Sequence, residues 1–416
     1  MTKLRKRTSF AFYSFSLFFL ISCLSSCTSY QIRQTNTNSA EKLETNTPEV
    51  FLLDVGVQIF APDVLATPTD ERLYKNVRES ESIWVAQQLK NTLESSRAWG
   101  VVRIIPDTKV IMDLRVNGKI LQSDGETLAL HVTTYDTSGE VWLDKEYRQT
   151  VSRYSYDPAN ADFEPFQSLY NDISNDLLDI LKSTPLDTRA DLRTISSVRF
   201  AQSFSPEAFG EYLIQDEPGI YRINSLPAAN DPAFKRIREI QLRDQLFVDV
   251  LQTYYLGFSD NMDASYREWR EQSYRETQII RELEGTARAR RLGGWLTILG
   301  GATALLVDSN GSEFNTVDVI QNVSGSVAIF AGVETLRSSF QKKDEAALHI
   351  ETLSELGQSL ESELEPSVIE LQDRTVTLTG TVRNQYEDWR KILADIYYAE
   401  TGYARPEEEQ TSETYQ

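Results

Sequence analysis

Cysteine and histidine are almost missing from this 416-residue chain, which has two of each. The cysteines, Cys23 and Cys27, both precede residue 28, and the histidines are His131 and His349. A zinc centre or a histidine-dependent catalytic site in the body of the chain is therefore not expected. Basic residues are also short: 42 Lys and Arg stand against 62 Asp and Glu, a formal net charge of −20. Nucleic acid is excluded as a partner on that balance, since binding phosphates needs clustered Lys and Arg. No apolar run reaches the roughly 20 residues that span a bilayer. A glycine-rich phosphate loop after a strand and a GxSxG elbow are both missing. Carboxylates are plentiful, but no segment singles out the placed pair that a cell-wall glycosidase would need. His131 and His349 read as surface or pairing histidines, and no metal site or catalytic residue is expected.

What is present begins at the N-terminus. MTKLRKRTS is a positive segment, and FAFYSFSLFFLI, Phe10 to Ile21, is a short apolar core, the build of a signal peptide. Leu24-Ser25-Ser26-Cys27 follows and resembles the bacterial lipobox, in which the cysteine after two small residues is cleaved to and lipidated. Leu20-Ile21-Ser22-Cys23 also fits. Cys27 is favoured because the polar stretch TSYQIRQTNTNSAEKLETNTP begins directly after it. A disulfide or a CxxxC metal pair is the alternative, but the first usually closes a larger loop and the second lacks further ligands. The resemblance implies a covalent lipid on the cysteine, diacylglycerol plus an N-acyl chain, and no other cofactor. It also implies an outer-membrane address, because Thr28 (or Leu24) rather than Asp follows the cysteine. Removing Lys3, Arg5, Lys6 and Arg7 with the leader takes the charge from −20 to about −24.

The pattern divides the chain into a leader at 1–26, a tether at 27–48, an α/β sheet domain at 49–185, a helical region at 186–291, a Gly-rich apolar hairpin at 292–343, a small α-β-β-α unit at 344–402 and a polar tail at 403–416. In the sheet domain, FLLDVGVQIF reads as a central strand, and a helix is expected over Asn76–Ser96. WGVVRIIP is the next strand. In VIMDLRVNGKIL, Val110, Met112, Leu114, Val116 and Ile120 face one way and Asp113, Arg115, Asn117 and Lys119 the other. ETLALHVTTYD and EVWLDKEYRQTV form a hairpin through the turn Asp136–Gly139. A helix over roughly Phe163–Leu181 closes the domain. The order β-α-β-β-β-β-α predicts an α+β fold, an antiparallel sheet with helices on one face. The stretches VGVQIF, ESIWVAQQLKNTLESS and VNGKILQSDGETLALHVTTYDTSGEVW resemble the small domains of ABC-transport auxiliary and curli-secretion-type lipoproteins.

Beyond residue 186 the pattern turns helical. PAFKRIREIQLRDQLFVDVLQTYYLGF carries Ile237, Ile240, Leu242, Leu246, Val250 and Leu251, and a second, charged helix is expected to begin at Met262, with Tyr266, Trp269, Ile280 and Leu283 along it. Next come LGGWLTILGGATALLV, flanked by Arg288, Arg290 and Arg291, and VDVIQNVSGSVAIFAGVETL. Their glycines, Gly293, Gly294, Gly300, Gly301, Gly325 and Gly332, each cost a helix about 1 kcal/mol. Close backbone packing is one reason to tolerate them, in a core hairpin or in an oligomer that enters membrane. In the last unit, VIELQDRTVTLTGTV reads as a hairpin and EDWRKILADIYYAETG as a helix with Trp389, Ile392, Leu393 and Ile396 inward. VTLTGTV between two helices resembles a BON module, a small envelope domain linked to phospholipid contact. The expected partners are membrane lipid through the anchor, and an envelope protein or further copies of the chain.

Overall fold

The computed structural model describes residues 38–44, 47–62, 71–106, 108–160, 162–217, 219–228, 230–304, 367–370 and 375–402. Side chains within helices are described more narrowly, in the long helix below only as far as Arg281. Cys23, Cys27, Gly325, Gly332, His349 and the second arm of the expected hairpin lie outside the described residues.

The class is α+β. Strands β1 (Val55–Gln58), β2 (Val102–Ile105), β3 (Leu114–Ser123), β4 (Thr127–Asp136) and β5 (Val141–Thr150) form one sheet in the order β2-β1-β3-β4-β5. The expected antiparallel arrangement holds for the β3-β4-β5 meander. It does not hold for β1, which runs parallel to both β2 and β3. The reason is the connection: helix α1 (Glu71–Ser95) carries the chain from the end of β1 back to the start of β2, as a parallel pair requires.

Alternation sets which face of the sheet is covered. Leu114, Val116, Leu128, Leu130 and Val132 are buried, while Arg115, Lys119, His131 and Thr133 look outward and are at least partly exposed. The β4-β5 turn follows its residue chemistry. Asp136 Oδ1 accepts from the Ser138, Gly139 and Glu140 amides, its Oδ2 accepts from Trp142 Nε1 at 2.9 Å, and Gly139 adopts φ +103°.

Helix α1 is enclosed by β1 and β2, by α2 (Gln167–Ser183) and by the long helix α5 (Pro232–Ala304). From Ser80 to Gln87 every residue is buried, so no polar stripe marks a solvent side. Helix α2 starts at Gln167, later than expected; Phe163 is exposed, while Phe166, Leu169, Tyr170, Ile173, Leu177 and Leu181 enter the core. Helix α3 (Leu186–Phe204), the one-turn helix α4 (Pro206–Phe209) and a short hairpin of β6 (Leu213–Gln215) and β7 (Tyr221–Ile223) lead into α5.

The two expected helices of the 186–291 region, and the first arm of the Gly-rich hairpin as far as Ala304, are one helix of 73 residues, about 110 Å long at 1.5 Å per residue. The helix is not interrupted at Ser259–Asn261, between the two expected segments. Phe258, Ser259 and Met262 are buried, and their packing holds the helix through a locally weak stretch. The boundary drawn at 291/292 falls inside this helix.

At the C-terminal end, β8 (Ser367–Glu370) pairs antiparallel with β9 (Thr375–Leu378), and α6 (Val382–Thr401) follows. Thr381 caps α6 by accepting from the Asn384 amide, and Gly402 ends it at φ 71°. Trp389 and Leu393 are buried as expected, together with Tyr386 and Tyr397. These side chains belong to the same core as the sheet and α1, so the closing helix of the 344–402 segment is part of the main body.

Candidate functional site

Helix α5 is the element on which the molecule is organised, and its two faces differ. Near its start, Phe247 stacks on Trp389 and Tyr386 of α6, with ring centroids 5.6 and 6.2 Å apart. Beside them Asp244 is buried. Its Oδ2 accepts from the Tyr386 hydroxyl at 3.3 Å, and Arg390 Nη1 stands 3.9 Å from its Oδ1. Burial pushes the Asp244 carboxyl up to about 6, against the opposing pull of Arg390 and the Tyr386 hydroxyl. Arg390 in turn lies over the Phe200 and Phe204 rings of α3.

Further along, α5 closes the open edge of the sheet. Asp249 holds Arg103 of β2 through two bonds of 2.6 and 3.0 Å, and Gln252 bonds the backbone of Ile104. Next, Tyr266 stacks on Trp269, meets Trp84 of α1 and donates its hydroxyl to Glu81 at 2.5 Å. Glu81, fully buried, also accepts from Arg78 at 2.6 Å and from the Ser123 hydroxyl. Arg270 is buried over the Tyr266 and Trp84 rings and makes a two-bond pair with Glu164 at 2.6 and 3.0 Å. Finally the β3-β4 turn seats on α5: Thr277 donates to the Asp124 carbonyl, and Gln278 and Arg281 bond Glu126. These buried charges are each matched by a partner on another element, which makes them positioning groups for the helix.

The opposite face carries an apolar stripe that nothing among the described residues covers. Leu242, Leu246, Val250 and Leu256 are 61%, 63%, 57% and 48% exposed. At about 100° per residue they share one side of the helix with Thr253, roughly opposite Ile240, Phe247 and Leu251. Sequence periodicity grouped Leu242, Leu246 and Val250 with Ile237, Ile240 and Leu251 as one apolar set; the structure separates them, burying only the last three. The signal was available, because the apolar residues of this segment occupy two arcs rather than one. Charge is sorted along the same side: Lys235 and Arg238 precede the stripe and Asp260 and Asp263 follow it, all exposed.

The remaining expected positions sort as follows. Gly293, Gly294, Gly300 and Gly301 lie within the backbone of α5. His131 is on the outer face of the sheet, its Nε2 2.6 Å from Asp144 Oδ1, a pairing histidine. Asp113, expected on the polar face of its strand, is instead buried. Its Oδ2 accepts from the Asp54 amide at 2.9 Å, and loss of solvent pushes it up to about 6. Among the described residues, no group of three or more His, Cys, Asp or Glu is placed to hold a metal ion, and no helix is long and apolar enough to cross a membrane.

No protein-family model matches this chain, and no curated protein matches it. Among solved structures, the crystal structure of protein XCC0632 from Xanthomonas campestris, assigned to the family model DUF330, is 10% identical. The match covers 40% of this chain and 96% of that one, with a TM-score of 0.19, too slight a likeness to carry an argument.

Proposed function

We propose that this protein is a non-enzymatic, lipid-anchored lipoprotein of the bacterial outer membrane that serves as an envelope scaffold or accessory protein. Acyl chains on Cys27 (Cys23 in the alternative) would hold it, at about 0.8 kcal/mol for each buried methylene. Its body would face the periplasm. The observation that carries the interaction role is the uncovered Leu242–Leu256 stripe on a helix whose other face is tightly packed. An exposed apolar stripe rimmed by charge is the usual form of a protein-binding surface. A second reading, an export or pore accessory that inserts an oligomeric hairpin, is favoured by one feature. Helix α5 runs unbroken from the body into the segment holding Gly293, Gly294, Gly300 and Gly301.

Fractionation of cells making Cys27→Ser, Cys23→Ser and the double variant tests both. The anchored reading expects Cys27→Ser to leave the membrane and dissolve without detergent. A double variant that resists urea and leaves only with detergent would favour the inserted hairpin. Cleavage of peptidoglycan by the purified protein would overturn both in favour of a cell-wall enzyme.

A further inference from the structure

We propose that the stripe on α5 binds a second copy of this chain, helix against antiparallel helix, about a two-fold axis beside residue 249. This deepens the interaction role above by naming its partner, and it rests on that reading.

The pattern of the stripe is its own complement when reversed. Turning the helix end for end about residue 249 brings Leu242 opposite Leu256 of the second copy, and Leu246 opposite Val250 and Thr253 of the second copy. All five residues are exposed. The same operation brings Arg238 opposite Asp260 of the second copy and Lys235 opposite Asp263 of the second copy, all four exposed. A two-fold contact requires one patch to match itself in this way. Side-by-side parallel helices would instead set Lys235 and Arg238 against their own equivalents, and Asp260 and Asp263 against theirs, which is repulsive. Glu239 is the one exposed acid at the basic end. Asp249, nearest the axis, would repel its equivalent, but its two oxygens are already held by Arg103. The exposed arc contains no buried residue over these positions, so a partner helix meets no obstruction from the described elements.

The contact is short. Leu242 to Leu256 spans about 21 Å, so the pair is weak in solution. Two copies anchored in one membrane share a surface, and the raised effective concentration favours pairing there.

Disulfide cross-linking of the full-length chain in phosphatidylethanolamine–phosphatidylglycerol vesicles tests this, each yield read above that of the unsubstituted chain. Val250→Cys, beside the axis, links to itself. Leu242→Cys and Leu256→Cys link when mixed and not alone. Lys235→Glu with Arg238→Glu lowers the mixed yield about tenfold, and adding Asp260→Lys with Asp263→Lys restores it. Leu246→Asp, at an exposed position that leaves the fold intact by circular dichroism, abolishes all the links. Efficient self-linking of Leu242→Cys, or no rescue by the paired charge reversals, overturns the antiparallel arrangement. If no variant links, self-pairing is wrong. The wider interaction reading has a separate readout: it fails if Leu246→Asp leaves every envelope cross-link of the native protein unchanged.

Discussion

The side-chain amide of Gln252 pairs with the main chain of Ile104 as a neighbouring strand would. Its Nε2 donates to the Ile104 carbonyl at 2.9 Å, and its Oε1 accepts the Ile104 N–H at 2.7 Å. Strand β2 is the edge of the sheet, and in a parallel pair one residue directs both its peptide groups to the same side. Ile104 therefore turns both toward α5, and a single glutamine satisfies them. An open edge is a template for unwanted pairing, and this helix covers it. Gln252→Ala should cost about 2–3 kcal/mol, since two buried peptide groups lose their partners. Urea unfolding should show it, with a greater tendency to aggregate.

Gly125 should tolerate no side chain. It adopts φ +75° at the β3-β4 turn, where a Cβ would overlap the Arg270 carbonyl and stand 2.5 Å from the Tyr274 amide nitrogen. Both obstacles are main chain of α5 and cannot turn aside. Gly125→Ala should cost at least about 2 kcal/mol. It should also expose the Tyr156 and Tyr274 rings that meet beside the turn, which tyrosine fluorescence would report.

Arg270 and Glu164 form a buried pair in which removing one partner strands the other. Arg270→Met or Glu164→Leu alone should cost about 3–5 kcal/mol, and the double replacement clearly less than the sum. A double-mutant cycle in urea measures the difference.

Stability should fall as pH rises from about 4 to about 6. The native Asp244 carboxyl titrates at about 6 and its unfolded counterpart near 3.9, so over that interval the native state holds the proton more tightly. The stabilisation is full below the unfolded value and lost as pH passes the folded one, a change of about 3 kcal/mol. Asp113 contributes a slope of the same sign. Asp244→Asn should therefore remove part of the slope and leave the share of Asp113, as thermal melts across this range would show.

Local chemistry made some elements legible. The alternation of Leu114, Val116 and Ile120 marked a half-buried strand, and Asp136 with Gly139 marked a hairpin turn. Elsewhere local chemistry misled. Ser259 to Asn261 looks like the gap between two helices, and Asp113 looks like a surface residue, because neither reading knows what packs alongside. Gln252 is polar and carries no motif, so nothing in the sequence connects it with a strand well over a hundred residues earlier. The stripe was visible as apolar residues, but periodicity reports that a face is apolar and not whether a neighbour covers it.

The residue pattern alone determined the order of strands and helices through the sheet domain and the turn at Asp136–Gly139. Those follow from side-chain alternation and backbone preference, which act over a few residues. Only the tertiary structure decided that β1 lies parallel between β2 and β3, that α5 is one helix, and that no other described element covers its stripe. Each of those depends on contacts between residues far apart in the chain, where burial of Phe258 and Met262 outweighs the local cost of a glycine and three polar residues.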